Sequence, residues 1–191
     1  MNMRQYLKYA PRLLPLVTLA AISSVLYFSS AERVVSYIGV ENAYFFIFIL
    51  AFFGGITTFS GIPYHLILIT LAVGGLNPFI LGLVTATAVS LGDCTSYFVG
   101  YFGREFMPKR IEHALQRLTR IQEQYPRFMP VLFFLYGACV PFSSDLVTIP
   151  MGLLRYPLWR VMIPLGIGTL IFNTALAYFA TEIQQWLSAF I

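Results

Sequence analysis

Long apolar stretches alternate with short polar interruptions along the chain, a pattern that predicts membrane helices. Residues 13–30, 79–101 and 158–180 are almost entirely apolar. Because a hydrocarbon core of about 30 Å requires about 20 residues of helix, each segment is predicted to cross a membrane once. The first run also resembles a signal peptide with a cleavage site near residues 30–31. Its length of about 18 residues exceeds a usual signal-peptide core, so we predict a retained helix.

Two further apolar stretches, residues 43–77 and 128–156, are interrupted by glycine and proline. The breaks fall near Pro63 in the first stretch and at Pro141 and Pro150 in the second. Each leg in the first stretch has only about 15 residues, which is marginal for a full crossing. We therefore predict two re-entrant hairpins, whose irregular backbone must be buried in protein or line a cavity. Short full crossings remain the alternative.

An amphipathic segment, residues 109–125, separates the two halves. Its apolar positions recur at helical spacing and the remainder is largely polar or charged, which predicts a helix lying on the membrane surface. Basic residues are concentrated in the surrounding loop, residues 104–127. By the positive-inside rule this loop is predicted to be cytoplasmic. The N-terminus is then also cytoplasmic, because an even number of crossings separates the two.

The two halves resemble each other, which indicates an internal duplication. Residues 59–79 and 142–158 share a Phe-Ser start, an apolar run, a glycine and a later proline. Aligned on Pro78 and Pro157, polar residues fall at comparable places in both halves: His65 and Asp145, then Asp93 and Asn173. A hairpin plus one crossing inverts the second copy, an arrangement typical of secondary transporters. The predicted fold is one all-α membrane domain over residues 1–191, built as an inverted repeat.

Composition places the chain among integral, multi-pass membrane proteins. It is 58% hydrophobic and 10% charged, whereas a soluble domain has about 25% charged residues. The net charge of +4 comes from loop residues, so no nucleic-acid partner is expected. The two cysteines have no metal-binding spacing, so neither metal nor cofactor is expected. Hydrolase, zinc-protease and P-loop motifs do not occur, so we predict that the chain is not an enzyme.

Asp145 is the strongest candidate for a functional residue. It lies between Pro141 and Pro150, at a predicted depth where an ionised carboxylate costs at least ~2.5–3.5 kcal/mol. Such a residue is a candidate for proton coupling or substrate contact. Alternatively, Ser143, Ser144 and Asp145 cap the helix that follows. The two roles are compatible, because a helix N-terminus with free N–H groups also attracts anions.

Four other residues are weaker candidates, each with a structural alternative. His65 is either a proton carrier or a helix cap. Asp93 is either functional or a structural partner of Arg104 or of a backbone group. Arg155 and Arg160 could bind a phosphate headgroup, although arginines at a cytoplasmic helix end also act as topology signals.

Three motifs together resemble the DedA/VTT superfamily, also called SNARE-associated Golgi proteins, and its small YqaA-like branch. They are "GIPYHLILITLAVGG", "LGDCTSYFVGYFGR" and "VPFSSDLVTIPMGLLRYPLWR". The resemblance covers about residues 43–180. It implies re-entrant hairpins that face each other from opposite leaflets. It also implies movement of phospholipids or polyprenyl phosphates between leaflets, with proton coupling proposed for some members.

The chain departs from this family pattern at both hairpins. Many members carry acidic residues in the first hairpin, where this chain has His65, with Glu41 as a substitute upstream. Many carry arginines in the second hairpin, where this chain has Asp145. An arginine pair that grips a lipid phosphate is therefore not carried over.

The sequence favours a lipid transporter or scramblase. Its expected partners are membrane lipids and protons, and its expected location is a prokaryotic cell membrane. A non-transporting scaffold and an exporter of small cations or drugs remain alternatives, and homo-oligomerisation is left open.

Overall fold

The computed structural model describes residues 31–56, 64–106, 115, 118–120, 122–140 and 143–188. The described chain is helical and contains no strand, which confirms the predicted all-α class. Its helices, in chain order, are α1 Ala31–Ile38, α2 Val40–Ile56, α3 Tyr64–Val73, α4 Pro78–Gly103, α5 Met129–Cys139, α6 Asp145–Leu153 and α7 Leu158–Ser188. The predicted crossing 13–30, the first hairpin's tip and most of the 109–125 helix lie outside the described residues.

Two of the described helices, α4 and α7, are long and apolar enough to cross a membrane. Their most apolar windows have mean hydropathies of 1.4 and 1.6. At 1.5 Å per residue, their 26 and 31 residues give lengths of about 39 and 46 Å. The shorter apolar helices α2, α3 and α5 have 10–17 residues. The predicted contrast between long segments and short legs is therefore present.

The two long helices run in opposite directions and are packed through small residues. Gly82 of α4 lies against Thr174 of α7, and Gly166 of α7 lies near Ser90 of α4. Since residue numbers rise along one helix as they fall along the other, α4 and α7 are antiparallel. The shorter helices use the same device: Gly55 and Gly92 bring α2 onto α4, and Gly137 and Gly168 bring α5 onto α7.

The corners that precede α4 and α7 have the same backbone structure. Gly75 N–H donates to Ala72 at 3.1 Å and Leu76 N–H to Leu71 at 3.1 Å; the same two bonds recur at Arg155 and Tyr156. Gly75 and Arg155 both have positive φ, 95° and 55°. This pattern is a helix C-terminus closed by a left-handed residue. Equivalent residues in the two corners therefore have numbers that differ by 80.

This spacing corrects the prediction by one residue. An alignment on Pro78 and Pro157 shifts residue numbers by 79 and leaves His65 and Asp145 one position apart. A shift of 80, which the two corners require, aligns His65 with Asp145. The reason is that the two prolines have different roles. Pro78 is the first residue of α4, behind the capping residue Asn77, whereas Pro157 precedes the first residue of α7.

Two apolar cores form around the ends of the long helices. The first contains residues of α1, α2 and α3 together with the start of α4: Val35, Ile47, Leu68, Leu71 and Leu81. The second contains residues of α5 and α6 together with the end of α4 and the start of α7: Tyr97, Phe133, Met151, Val161 and Leu165. Large apolar side chains on the outer faces of α4 and α7 remain exposed, as expected of a surface that faces lipid.

Replacement of Tyr97 with phenylalanine is expected to lower the free energy of unfolding by about 1–3 kcal/mol. The Tyr97 hydroxyl donates to the Tyr156 carbonyl at 2.5 Å, in a buried contact that ties the α6–α7 corner to α4. Phenylalanine leaves that carbonyl without its donor. Thermal unfolding in detergent measures the effect, with Tyr178→Phe on the exposed face of α7 as the control. Equal melting temperatures for both variants would contradict the prediction.

Candidate functional site

A buried hydrogen bond joins the start of α6 to the interior of α4. The Ser144 hydroxyl donates to Oδ1 of Asp93 at 2.5 Å. Asp93 is only 1% exposed. Ser144 is the N-cap residue of α6, but its side chain makes no capping bond. Its hydroxyl instead donates a hydrogen bond to the carboxyl group of Asp93 on α4. The observed hydrogen-bond partner of Asp93 is therefore Ser144, whereas the sequence suggested Arg104 or a backbone group.

Asp145 is the first residue of α6 and lies next to this contact. It is 5% exposed, and its carboxyl group is close enough to that of Asp93 for their charges to interact. The Asp145 N–H donates to Ser143 Oγ at 3.4 Å, a long bond that gives Ser143 a weak capping role. The Tyr136 hydroxyl donates to the Ser143 carbonyl at 2.8 Å. Helix α5 therefore holds the turn that presents Ser144 and Asp145.

The first half of the chain forms a corresponding contact. Tyr64, the first residue of α3, has its side chain within interaction range of Asn173 in α7. Asn173 is fully buried, and its amide has no hydrogen bond of ordinary geometry among the described residues. Tyr64 and Ser144 differ by 80 in number, as do Asn173 and Asp93. Each short helix thus brings its first turn to a polar residue on the long helix of the other half.

His65 lies on the Tyr64 side of the site. Its ring packs on that of Tyr64 with centroids 3.9 Å apart and meets Phe172 edge to face at 5.7 Å. Its described neighbours are therefore aromatic rings of α3 and α7, whereas Asp145 lies with Asp93. His65 and Asp145 therefore have different described neighbours.

A small cavity lies between these groups. Its polar lining comes from three helices and the N-cap of α6, and includes Tyr64, His65, Tyr136, Ser144 and Thr169. Its volume of about 30 Å³ is enough for one or two water molecules. A lipid headgroup does not fit this conformation. The cavity is lined by one residue of each polar contact, Ser144 and Tyr64, and its volume suits water.

Six of the nine predicted site residues are at or beside the cavity and three are elsewhere. Those at the site are His65, Asp93, Ser143, Ser144, Asp145 and Asn173. Glu41 is exposed in the first turn of α2, and Arg155 and Arg160 are exposed near the start of α7. Within the described part of the chain, no three His, Cys, Asp or Glu side chains come together as metal ligands.

Sequence reasoning missed Tyr64 and Tyr136, whose hydroxyl groups face the site. Both lie in apolar stretches, where a tyrosine is ordinarily taken as a packing residue. The difference of 80 that relates the two corners also relates Tyr64 to Ser144. An alignment with that spacing would have identified Tyr64. Nothing comparable marks Tyr136, whose role depends on the turn at Ser143.

Comparison with known proteins gives one match. A family model described as the VTT domain matches residues 62–182, which is more than half of the chain and includes both polar contacts. No curated protein and no solved structure matches the chain.

Proposed function

Since the chain belongs to the VTT-domain, or DedA, family of membrane proteins, we propose that it moves lipids between the two leaflets of its membrane. The observation that carries this proposal is the contact between Asp93 and Ser144. A buried carboxyl group on a helix long enough to cross the membrane is costly and marks a substrate or proton pathway by default. Helix packing alone, supplied here by glycine contacts, does not require it.

The repeated corners and the antiparallel long helices support an inverted repeat with two re-entrant hairpins. In this proposal α3 and α6 are the second legs of the two hairpins. The first turn of each meets a polar residue near the middle of the membrane. The 30 Å³ cavity represents a closed state. A headgroup passes when one short helix moves away from the opposing long helix, which exposes either Asp93 and Ser144 or Tyr64 and Asn173.

Titration of the buried groups is proposed to couple lipid movement to protons. The carboxyl groups of Asp93 and Asp145 are within range of electrostatic interaction, so a proton on Asp93 removes the repulsion between them. His65 provides a third proton-exchanging group beside the cavity. We assign no enzymatic activity to these residues.

Charge distribution supports a cytoplasmic location for the end of α4. Arg104 follows α4, while Arg155 and Arg160 lie at the antiparallel start of α7, so the three share one end of the helix pair. The positive-inside rule then orients residues 104–127 and the N-terminus to the cytoplasm of a prokaryotic cell.

Asp145→Ala is expected to remove most of the lipid translocation while the protein remains folded. The substitution removes a buried carboxyl group but keeps the helical backbone of α6, since alanine is a strong helix former. The purified chain is reconstituted in liposomes with a fluorescent phospholipid, and a membrane-impermeant quencher reports the flip rate. A wild-type flip rate in this variant would exclude a transport role for Asp145.

A cation exporter is the second candidate, because two neighbouring carboxyl groups attract positive charge. Proton flux measured with lipid and, separately, with a cationic drug distinguishes the two candidates. A drug-dependent flux without lipid translocation would favour export. If substitutions at the site change the proton flux with neither lipid nor drug, the chain is better described as a non-transporting scaffold.

A further inference from the structure

Arg155 occupies a backbone conformation that suits glycine. Its φ of 55° makes it the one non-glycine residue with positive φ in the described part of the chain. The equivalent corner in the first half uses Gly75, with φ of 95°. A left-handed residue at a helix C-terminus is usually glycine, because a Cβ disfavours this conformation. An arginine at this position works against the local backbone preference, and such a strained residue is a candidate for a functional side chain.

The Arg155 side chain is oriented by a neighbouring aromatic ring. Its guanidinium lies 5.0 Å from the ring centroid of Tyr101 on α4. A cation–π contact orients the group while leaving its charge and its outer N–H donors accessible. The corner itself is held to α4 by the hydrogen bond from Tyr97 to Tyr156. The Arg155 guanidinium group is therefore held at a fixed position in the corner.

Neighbouring residues place Arg155 at the level of lipid headgroups. Trp159, the second residue of α7, is 72% exposed. Arg160 is exposed beside it, and Arg104 lies at the adjacent end of α4. Exposed tryptophan and tyrosine near a helix end are typical of the membrane interface. Basic residues at this depth attract anionic lipids.

We propose that Arg155 binds the phosphate of an anionic membrane lipid at the corner between α6 and α7, with Arg160 adding to the positive potential. The bound lipid lies at the membrane surface, at the opposite end of α6 from Asp145. It is therefore separate from the lipid that passes the buried site. The proposal requires the chain to be in a membrane but does not require it to transport lipid.

The two tryptophans of the chain, Trp159 and Trp186, allow a local measurement. In a Trp186→Phe background, Trp159 is the remaining fluorophore, four residues from Arg155. The full chain is reconstituted in phosphatidylcholine vesicles that contain either brominated phosphatidylglycerol or brominated phosphatidylcholine as the quencher. We expect phosphatidylglycerol to be enriched at Trp159 about fivefold, the preference that one basic residue near an anionic surface provides.

The Arg155→Gly variant distinguishes the effect of the arginine side chain from the effect of the backbone conformation. Glycine relieves the left-handed conformation, so thermal stability is expected to stay equal or rise, while most of the preference for phosphatidylglycerol is lost and the remainder is due to Arg160. A Trp159→Phe protein, in which Trp186 reports on the other end of α7, is expected to show no preference. Equal quenching by the two lipids at Trp159, or an unchanged preference in Arg155→Gly, would overturn the proposal.

Inorganic phosphate distinguishes a lipid site from a site for free phosphate. If the ligand is a lipid, phosphate added at constant ionic strength is expected to leave the quenching by phosphatidylglycerol unchanged. Displacement of the lipid by phosphate would overturn the assignment to a membrane lipid. Because the lipid-flip rate is not used, failure of this site is distinguishable from failure of the proposed transport.

Discussion

Asp93→Asn is expected to stop lipid translocation while leaving the fold intact. The asparagine oxygen can still accept the hydrogen bond from Ser144, so the contact between α4 and α6 is preserved. The amide cannot exchange a proton, however, and cannot change charge when a headgroup approaches. Flip rates in proteoliposomes and thermal unfolding in detergent are measured on the same preparation. We expect a flip rate equal to that of protein-free liposomes and a melting temperature close to that of the unsubstituted protein.

Two further variants separate titration from hydrogen bonding. Asp93→Ala removes the acceptor of the half-buried Ser144 hydroxyl, which lines the cavity, and is expected to lower stability by about 0.5–1.5 kcal/mol as well as activity. Thr148→Val is the matched control, because Thr148 is fully buried on α6 and its hydroxyl has no hydrogen-bond partner among the described residues. It is expected to keep normal flip activity. A normal flip rate in Asp93→Asn would mean that the hydrogen bond, rather than proton exchange, is what transport requires.

The long helices were predictable because apolar length is a local property of the chain. The segment predicted over residues 79–101 is observed as Pro78–Gly103. The segment over residues 158–180 is observed as Leu158–Ser188. The last two turns of α7 contain polar residues that are compatible with a helix. Because the prediction followed hydrophobicity, it ended the helix at residue 180.

The partners within the site were not predictable in the same way. Burial cost identified Asp145 and Asp93 as unusual residues, because a carboxyl group in an apolar segment is conspicuous in any sequence. The contact from Ser144 to Asp93 joins residues 51 positions apart. Periodicity indicates which face of a helix is buried, but not which helix covers it. For this reason the sequence identified Asn173 as a candidate but did not identify Tyr64 as its neighbour.

A second large effect is expected at Gly152, where α6 lies directly on the backbone of α4. A Cβ atom built on Gly152 would overlap the Tyr97 carbonyl oxygen and approach the Tyr101 nitrogen at 2.9 Å. Both atoms belong to the helix backbone and cannot move aside as a flexible side chain would. Any larger residue must therefore push α6 away from α4.

Gly152→Leu is accordingly expected to lower the free energy of unfolding by about 1–3 kcal/mol or more and to abolish lipid translocation. Gly152 and Ser144 lie two turns apart on the same face of α6, so displacement of the helix also separates Ser144 from Asp93. Gly103→Leu is the matched control, because a Cβ there meets no atom of the described residues within 4 Å. Circular-dichroism melting and the flip assay are compared for both variants. Unchanged melting of Gly152→Leu would show that α6 can leave α4 without cost, whereas normal flip activity despite a lower melting temperature would show that transport does not need the Ser144–Asp93 contact.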